Sequence, residues 1–107
     1  LIAGHDSDRA REAHRRFESE LTSLREEILT LSQPGREADA GAAAPRLRGR
    51  CNELALRITH AAVTLYKGTA LLASHPAQRL AREAMFLLVW SCPNPVIDCT
   101  VGLLAEG

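Results

Sequence analysis

The sequence predicts an all-α fold, an up-and-down helical bundle in a single domain over residues 1–107. Three observations carry that expectation. Apolar residues recur at steps of three and four along both long stretches of the chain, which is the period of one helix face. Proline and capping side chains fall where helices would start and stop. Neither an internal repeat nor the alternating pattern of a half-buried strand is present.

With 107 residues, 46% of them apolar and 24% charged, the chain has the composition of one globular domain with a modest core. Its net charge of zero gives no electrostatic drive toward nucleic acid or an anionic membrane. Residues 1–53 carry 19 of the 26 charged side chains, so the second half is expected to form the interior and the first half a solvated flank. Cys51, Cys92 and Cys99 form no C-x-x-C pair and are odd in number. That suggests neither a zinc site nor a disulfide framework, and fits a reducing cytoplasm. No signal peptide or membrane-length apolar run is evident, which points to a soluble protein. The chain does not begin with Met, as a piece of a longer polypeptide would not.

The first helix is expected over about 6–33. Asp6, Ser7 or Asp8 can cap it, and acidic residues suit the positive end of a helix dipole. Ala10, Ala13, Phe17, Leu21, Leu24, Ile28 and Leu31 form one narrow apolar seam. About three heptads fit an outer helix of a bundle better than a coiled coil. Pro34-Gly35 stops it. Residues 34–44 carry almost nothing to bury and read as a flexible linker.

A second long helix is expected over 45–73, with Leu47, Cys51, Leu54, Ile58, Ala61, Ala62 and Leu65 on its main face. Around Leu56, Val63 and Leu65 it turns apolar on several sides. Gly68 interrupts it. An interior helix glycine costs about 1 kcal/mol relative to alanine, so something approaches the backbone there, another helix or a ligand.

The third helix, 76–91, reads as the element around which the chain is organised. Ser74 can cap it, and Pro76 sits where a first-turn proline loses no hydrogen bond. Arg79, Arg82 and Glu83 line its first half, and from Ala84 to Trp90 it is apolar all round. A helix of that kind must be covered on every side, so its second half is expected to end in the core. Any groove left open along it would be filled by a second copy through a two-fold contact. Asn94 as cap and Pro95 as first residue then start a fourth helix over 95–105, with Val96, Ile97, Val101, Leu103 and Leu104 apolar.

Chemistry is sparse. His60 and His75 have no partner at metal-ligand spacing, and a helix-face histidine such as His60 is usually a structural residue. Cys92 and Cys99 lack a basic neighbour in sequence that would lower a thiol pKa. No Ser/His/Asp set, phosphate loop or carboxylate pair stands out, and no metal site is expected.

One stretch carries a resemblance. Ala61-Ala62-Val63-Thr64-Leu65-Tyr66-Lys67-Gly68-Thr69-Ala70, followed by His75-Pro76-Ala77-Gln78-Arg79-Leu80-Ala81-Arg82-Glu83-Ala84, resembles the C-terminal helical domain of the acyl-CoA dehydrogenases. That family shows A-x-Q-x-x-G-G-x-G, a short turn, and P-x-x-R/K-x-x-R-D-A, then E-G-T. Pro76, Arg79, Arg82, Glu83 and Ala84 fall on the second motif, with Glu for Asp, and Gly68 falls on the second glycine. Thr64 stands at the Gln position, Lys67 at the first glycine, and Ser91-Cys92-Pro93 where the family has E-G-T. The order and length of the two long helices also match. The resemblance implies an oligomerising bundle, a homodimer or tetramer, in an FAD oxidoreductase that oxidises acyl-CoA thioesters. It implies that Thr64, Gly68 and Thr69 face FAD, whose pyrophosphate needs close backbone approach at residue 68. It implies no catalytic residue here, since the usual glutamate position is Ser91. The family's other two domains have no counterpart in these residues, so acyl-CoA chemistry belongs to a complete flavoprotein, and the chain alone is expected to be inactive and to hold no FAD. The alternative is an autonomous helical interaction module without flavin. Lys67 can serve either reading, by neutralising a phosphate or as a solvated charge at a helix end.

Overall fold

A computed structural model describes residues 7–67, 75–90 and 93–106. Four helices and no strand occur among them: α1 Asp8–Leu31, α2 Glu37–Tyr66, α3 Pro76–Leu87 and α4 Asn94–Glu106. The all-α bundle read from the sequence is the fold. No helix among the described residues is long and apolar enough to cross a membrane.

Ser7 starts α1, its extended backbone letting the hydroxyl accept from the Ala10 N–H at 3.0 Å. At the far end the Ser32 N–H and hydroxyl both donate to the Ile28 carbonyl, at 3.0 and 2.7 Å. Gly35, at φ +87°, makes the turn that only glycine adopts readily.

The linker expected over 34–44 is mostly helix, because α2 begins at Glu37 rather than at Pro45. Ala38, Ala40 and Ala42 to Ala44 are the strongest of helix formers, and Glu37 and Asp39 suit the positive end of the helix. Alanines low in hydrophobicity and interspersed with Pro and Gly read as a linker, yet Ala43 packs against the cluster of Leu24, Leu47 and Leu54. Pro45 lies inside the helix, where it forgoes one backbone bond. α2 ends at Tyr66. The expected continuation to 73 falls on residues 68–74, outside the described residues.

The organising element is α2, not α3. Among the described residues, the backbones of α1, α3 and α4 each pack on α2 and not on one another. α1 runs antiparallel to it: Glu20 bonds Arg57 and Glu27 bonds Arg50, so seven residues forward on α1 is seven back on α2. α3 is antiparallel too, with the Tyr66 and His75 rings 4.7 Å apart at one end and Arg48 donating to the Trp90 carbonyl at 3.3 Å at the other. α4 runs parallel to α2, Gly49 lying against Cys99 and Thr100. The core is small-grained. One cluster is Ala10, Ala62 and Ala77, another Leu24, Leu47 and Leu54, and Phe17 and Ile58 touch both.

The cap of α3 is His75, whose Nδ1 accepts from the Ala77 N–H at 3.0 Å. Ser74, expected in that role, lies outside the described residues. The second half of α3 does not end in the core. The helix stops at Leu87, and Met85, Phe86, Val89 and Trp90 are 56%, 54%, 75% and 60% exposed. Likewise Leu21, Ile28 and Leu29 of α1, and Ile97, Val101 and Leu104 of α4, remain exposed. Three helices hung on one leave each with an uncovered side. The radius of gyration is 15.4 Å, against about 13 Å for a compact domain of this length. The accessible surface is 7203 Å², against about 5,800 Å² for a compact monomer of this mass.

Candidate functional site

The turn that leaves α2 is where the resemblance read from the sequence would put residues facing a cofactor. Thr64 is exposed on the last turn of α2, its hydroxyl donating to the His60 carbonyl at 2.9 Å. Its own carbonyl accepts from the Lys67 N–H, which closes the helix. Lys67 has φ +56° and ψ −140°, a backbone region that glycine populates freely and side-chain-bearing residues avoid. Gly68 and Thr69 lie outside the described residues, as does Ser91.

Across the turn, His75 and Pro76 open α3. The Nδ1 that receives the Ala77 N–H is unprotonated, which puts the proton of a neutral ring on Nε2. Arg79 and Glu83 are 4.0 Å apart on one exposed face, and Arg82 is exposed beside them. Packing of Ala62 against Ala77 brings the end of α2 and the start of α3 together. Thr64 and the α3 motif thus belong to one end of the bundle.

The charged flank of the first half is more organised than its composition suggests. Arg57 grips Glu20 with both terminal nitrogens, at 2.6 and 2.9 Å, sits 3.4 Å from Glu53, and lies over the Phe17 ring at 5.5 Å. Glu27 accepts from Arg46 and from Arg50. The Arg57 guanidinium holds the Glu20 carboxyl below its usual range, and Arg46 does the same for Glu27. These half-exposed pairs set the α1–α2 register more than they stabilise the fold. The signal was present in the sequence as acids and arginines at heptad spacing on two helices.

Two other residues matter and were not singled out. A Cβ on Gly49 would lie 3.0 Å from the Cys99 Cβ and 3.2 Å from the Thr100 nitrogen, so this glycine lets α4 approach α2. Asn52, one turn on, is 7% exposed and its side-chain nitrogen has no hydrogen-bond partner. His60 is exposed, with its Nδ1 2.8 Å from the Leu56 carbonyl, the arrangement of a surface structural histidine. Cys51 is exposed, yet partial burial of its thiol pushes the pKa up against the opposing pull of Arg50 and Arg48. No group of three or more His, Cys, Asp or Glu among the described residues could hold a metal ion.

Compared with protein-family models, with curated proteins and with solved structures, the chain matches none.

Proposed function

We propose that this chain is the C-terminal bundle of an acyl-CoA dehydrogenase-like flavoprotein, supplying subunit contacts and part of an FAD site without being catalytically complete. The observation that carries the reading is the backbone of Lys67. It stands where the family pattern has a glycine, and it adopts a glycine-type conformation at φ +56°. The chain bends there directly before Gly68, beside a capped α3 that opens with the P-x-x-R-x-x-R-E-A stretch. Thr64, Gly68 and Thr69 are the residues assigned to FAD. Thr64 fits that role in being exposed, with a hydroxyl oxygen still able to accept. FAD would supply the hydride acceptor, and a base from elsewhere in the complete protein would replace the glutamate that Ser91 displaces. A cytoplasmic setting suits the free thiols of Cys51 and Cys99.

A second reading is favoured by a different observation. Three helices whose backbones, among the described residues, pack on α2 and which leave apolar sides open describe a helical association module needing no flavin. One experiment separates the two. Produced from its native reading frame, the protein should purify yellow with one FAD per chain, and Gly68→Arg should lower FAD retention. A colourless product with no flavin affinity would remove the first reading and leave the second.

A further inference from the structure

We propose that the outer flank of α1 is a self-complementary docking face for a second copy of this chain, paired antiparallel about a two-fold axis. The inference rests on the association common to both readings above and assigns it a surface. Along α1, Leu21, Ile28 and Leu29 are 51%, 39% and 58% exposed. With Cys51 of α2 they wall an open groove of about 530 Å³, whose rim carries Glu18 and Arg25.

The charges choose the occupant. Glu20 and Glu27 turn toward α2 and are engaged by Arg57, Arg46 and Arg50. Glu18 and Arg25 precede them by two residues each, which on a helix is the opposite flank. Arg25 makes no ion pair with any described residue, and Glu18 meets only His14 at 3.9 Å. An acid and a base seven residues apart on one flank form a pattern that its own copy satisfies. With the axis crossing between Leu21 and Thr22, Glu18 meets the partner's Arg25, and Arg25 meets the partner's Glu18. The two pairs flank Leu21 and the groove beside it. An isologous contact requires this reciprocity.

The area agrees. The surface beyond that of a compact monomer of this mass is about 1,400 Å², shared among the uncovered sides of α1, α3 and α4, and a stable interface takes about 800 Å² from each partner. The exposed Phe86–Trp90 patch of α3 is the rival face. It carries no such charge pattern, and it adjoins residues 91 and 92, outside the described residues.

The test is sedimentation equilibrium at low ionic strength on the unaltered chain, Glu18→Arg, Arg25→Glu and the double exchange. Salt is kept low because exposed pairs are screened. Both side chains are exposed and leave the α1–α2 contacts untouched, so folding is not at stake, and circular dichroism checks it. Each single variant turns two attractions into two repulsions and should weaken the dimer about tenfold. The double exchange should restore it. A dimer indifferent to the single changes overturns this face while leaving association standing. Single variants that weaken the dimer without rescue by the double exchange overturn the register, and hence the proposal. A chain that stays monomeric at high micromolar concentration overturns both this proposal and the reading beneath it.

Discussion

Gly49→Ala puts the packing of α4 on α2 to a quantitative test. Two effects of opposite sign meet at this position. Alanine in a helix interior is favoured over glycine by about 1 kcal/mol, so at an open site the change should stabilise. At residue 49 the new methyl would lie 3.0 Å from the Cys99 Cβ, 3.2 Å from the Thr100 nitrogen and 3.3 Å from the Cys99 carbonyl carbon. Carbon pairs prefer about 3.5–4.0 Å. The opposing atoms belong to the α4 backbone or are its first side-chain carbon, so no rotamer change relieves the contact. α4 must move as a unit, by roughly half an ångström, and overpacking of this kind costs about 1–3 kcal/mol.

The overpacking cost should therefore exceed the propensity gain, with a net loss of about 1 kcal/mol and a fall in Tm of about 4 °C. Gly41→Ala is the internal control. It lies in the same helix with nothing within 4 Å of its added carbon, so it should gain up to about 1 kcal/mol. Urea and thermal unfolding of both variants decide the matter. If Gly49→Ala gains as much as Gly41→Ala, α4 does not touch α2 at that point, and the placement of the fourth helix is wrong.

Three further outcomes follow from the same geometry. Lys67→Gly should stabilise by about 1 kcal/mol, because it relieves a positive-φ backbone against a smaller unfolded-state entropy penalty; a destabilised variant would mean that Lys67 does not hold φ +56°. Asn52→Ala should be neutral or stabilising despite the lost volume, since it removes a buried amide nitrogen without a partner, and a loss above about 2 kcal/mol by urea unfolding would show that the amide is bonded after all. Glu20 is held below its ordinary value of 4.5 by the Arg57 hydrogen bond, against a smaller opposing effect of burial. A carboxyl with a depressed folded-state pKa stabilises above the unfolded pKa, and that contribution is lost as pH falls through the folded value. Glu20→Gln should thus cost under about 1 kcal/mol at neutral pH, given the exposure of the pair. It should also flatten the decline in urea midpoint below about pH 4.5, and an unchanged acid limb would remove Glu20 from the account.

Most of the architecture was legible because helices announce themselves locally. The α1 seam, the Pro34-Gly35 stop and the restart of helix near Asn94-Pro95 depend on residues within one turn of each other, although Asn94 is itself the first helical residue and the Pro93 carbonyl accepts the first bonds of α4. The stretch 37–44 was not legible, because alanine signals helix through propensity and not through an apolar face, and the nearby Pro and Gly argue the other way. Gly49 was passed over for the same kind of reason. A glycine inside a helix says that something comes close, and which glycine meets another backbone depends on how α4 lies over α2. Of the candidate site, the start of α3 follows from sequence position, with His75 supplying its cap, whereas the bend at Lys67 does not, because the helix expected over 45–73 ends at Tyr66.

The instructive difference is the run from Ala84 to Trp90. Its hydrophobicity made it look like the centre of the molecule, whereas the helix that the other three pack against is α2.

 

α2 looks solvated by composition because it carries Arg46, Arg50 and Arg57, and these arginines are engaged by Glu27 and Glu20 across the α1–α2 seam. Charge on a helix therefore did not mark it as peripheral. In the same way, the apolar run of α3 did not mark it as central, since Met85, Phe86, Val89 and Trp90 stay exposed. Apolar surface reports that cover is needed, and it is silent on whether the same chain or another one supplies it.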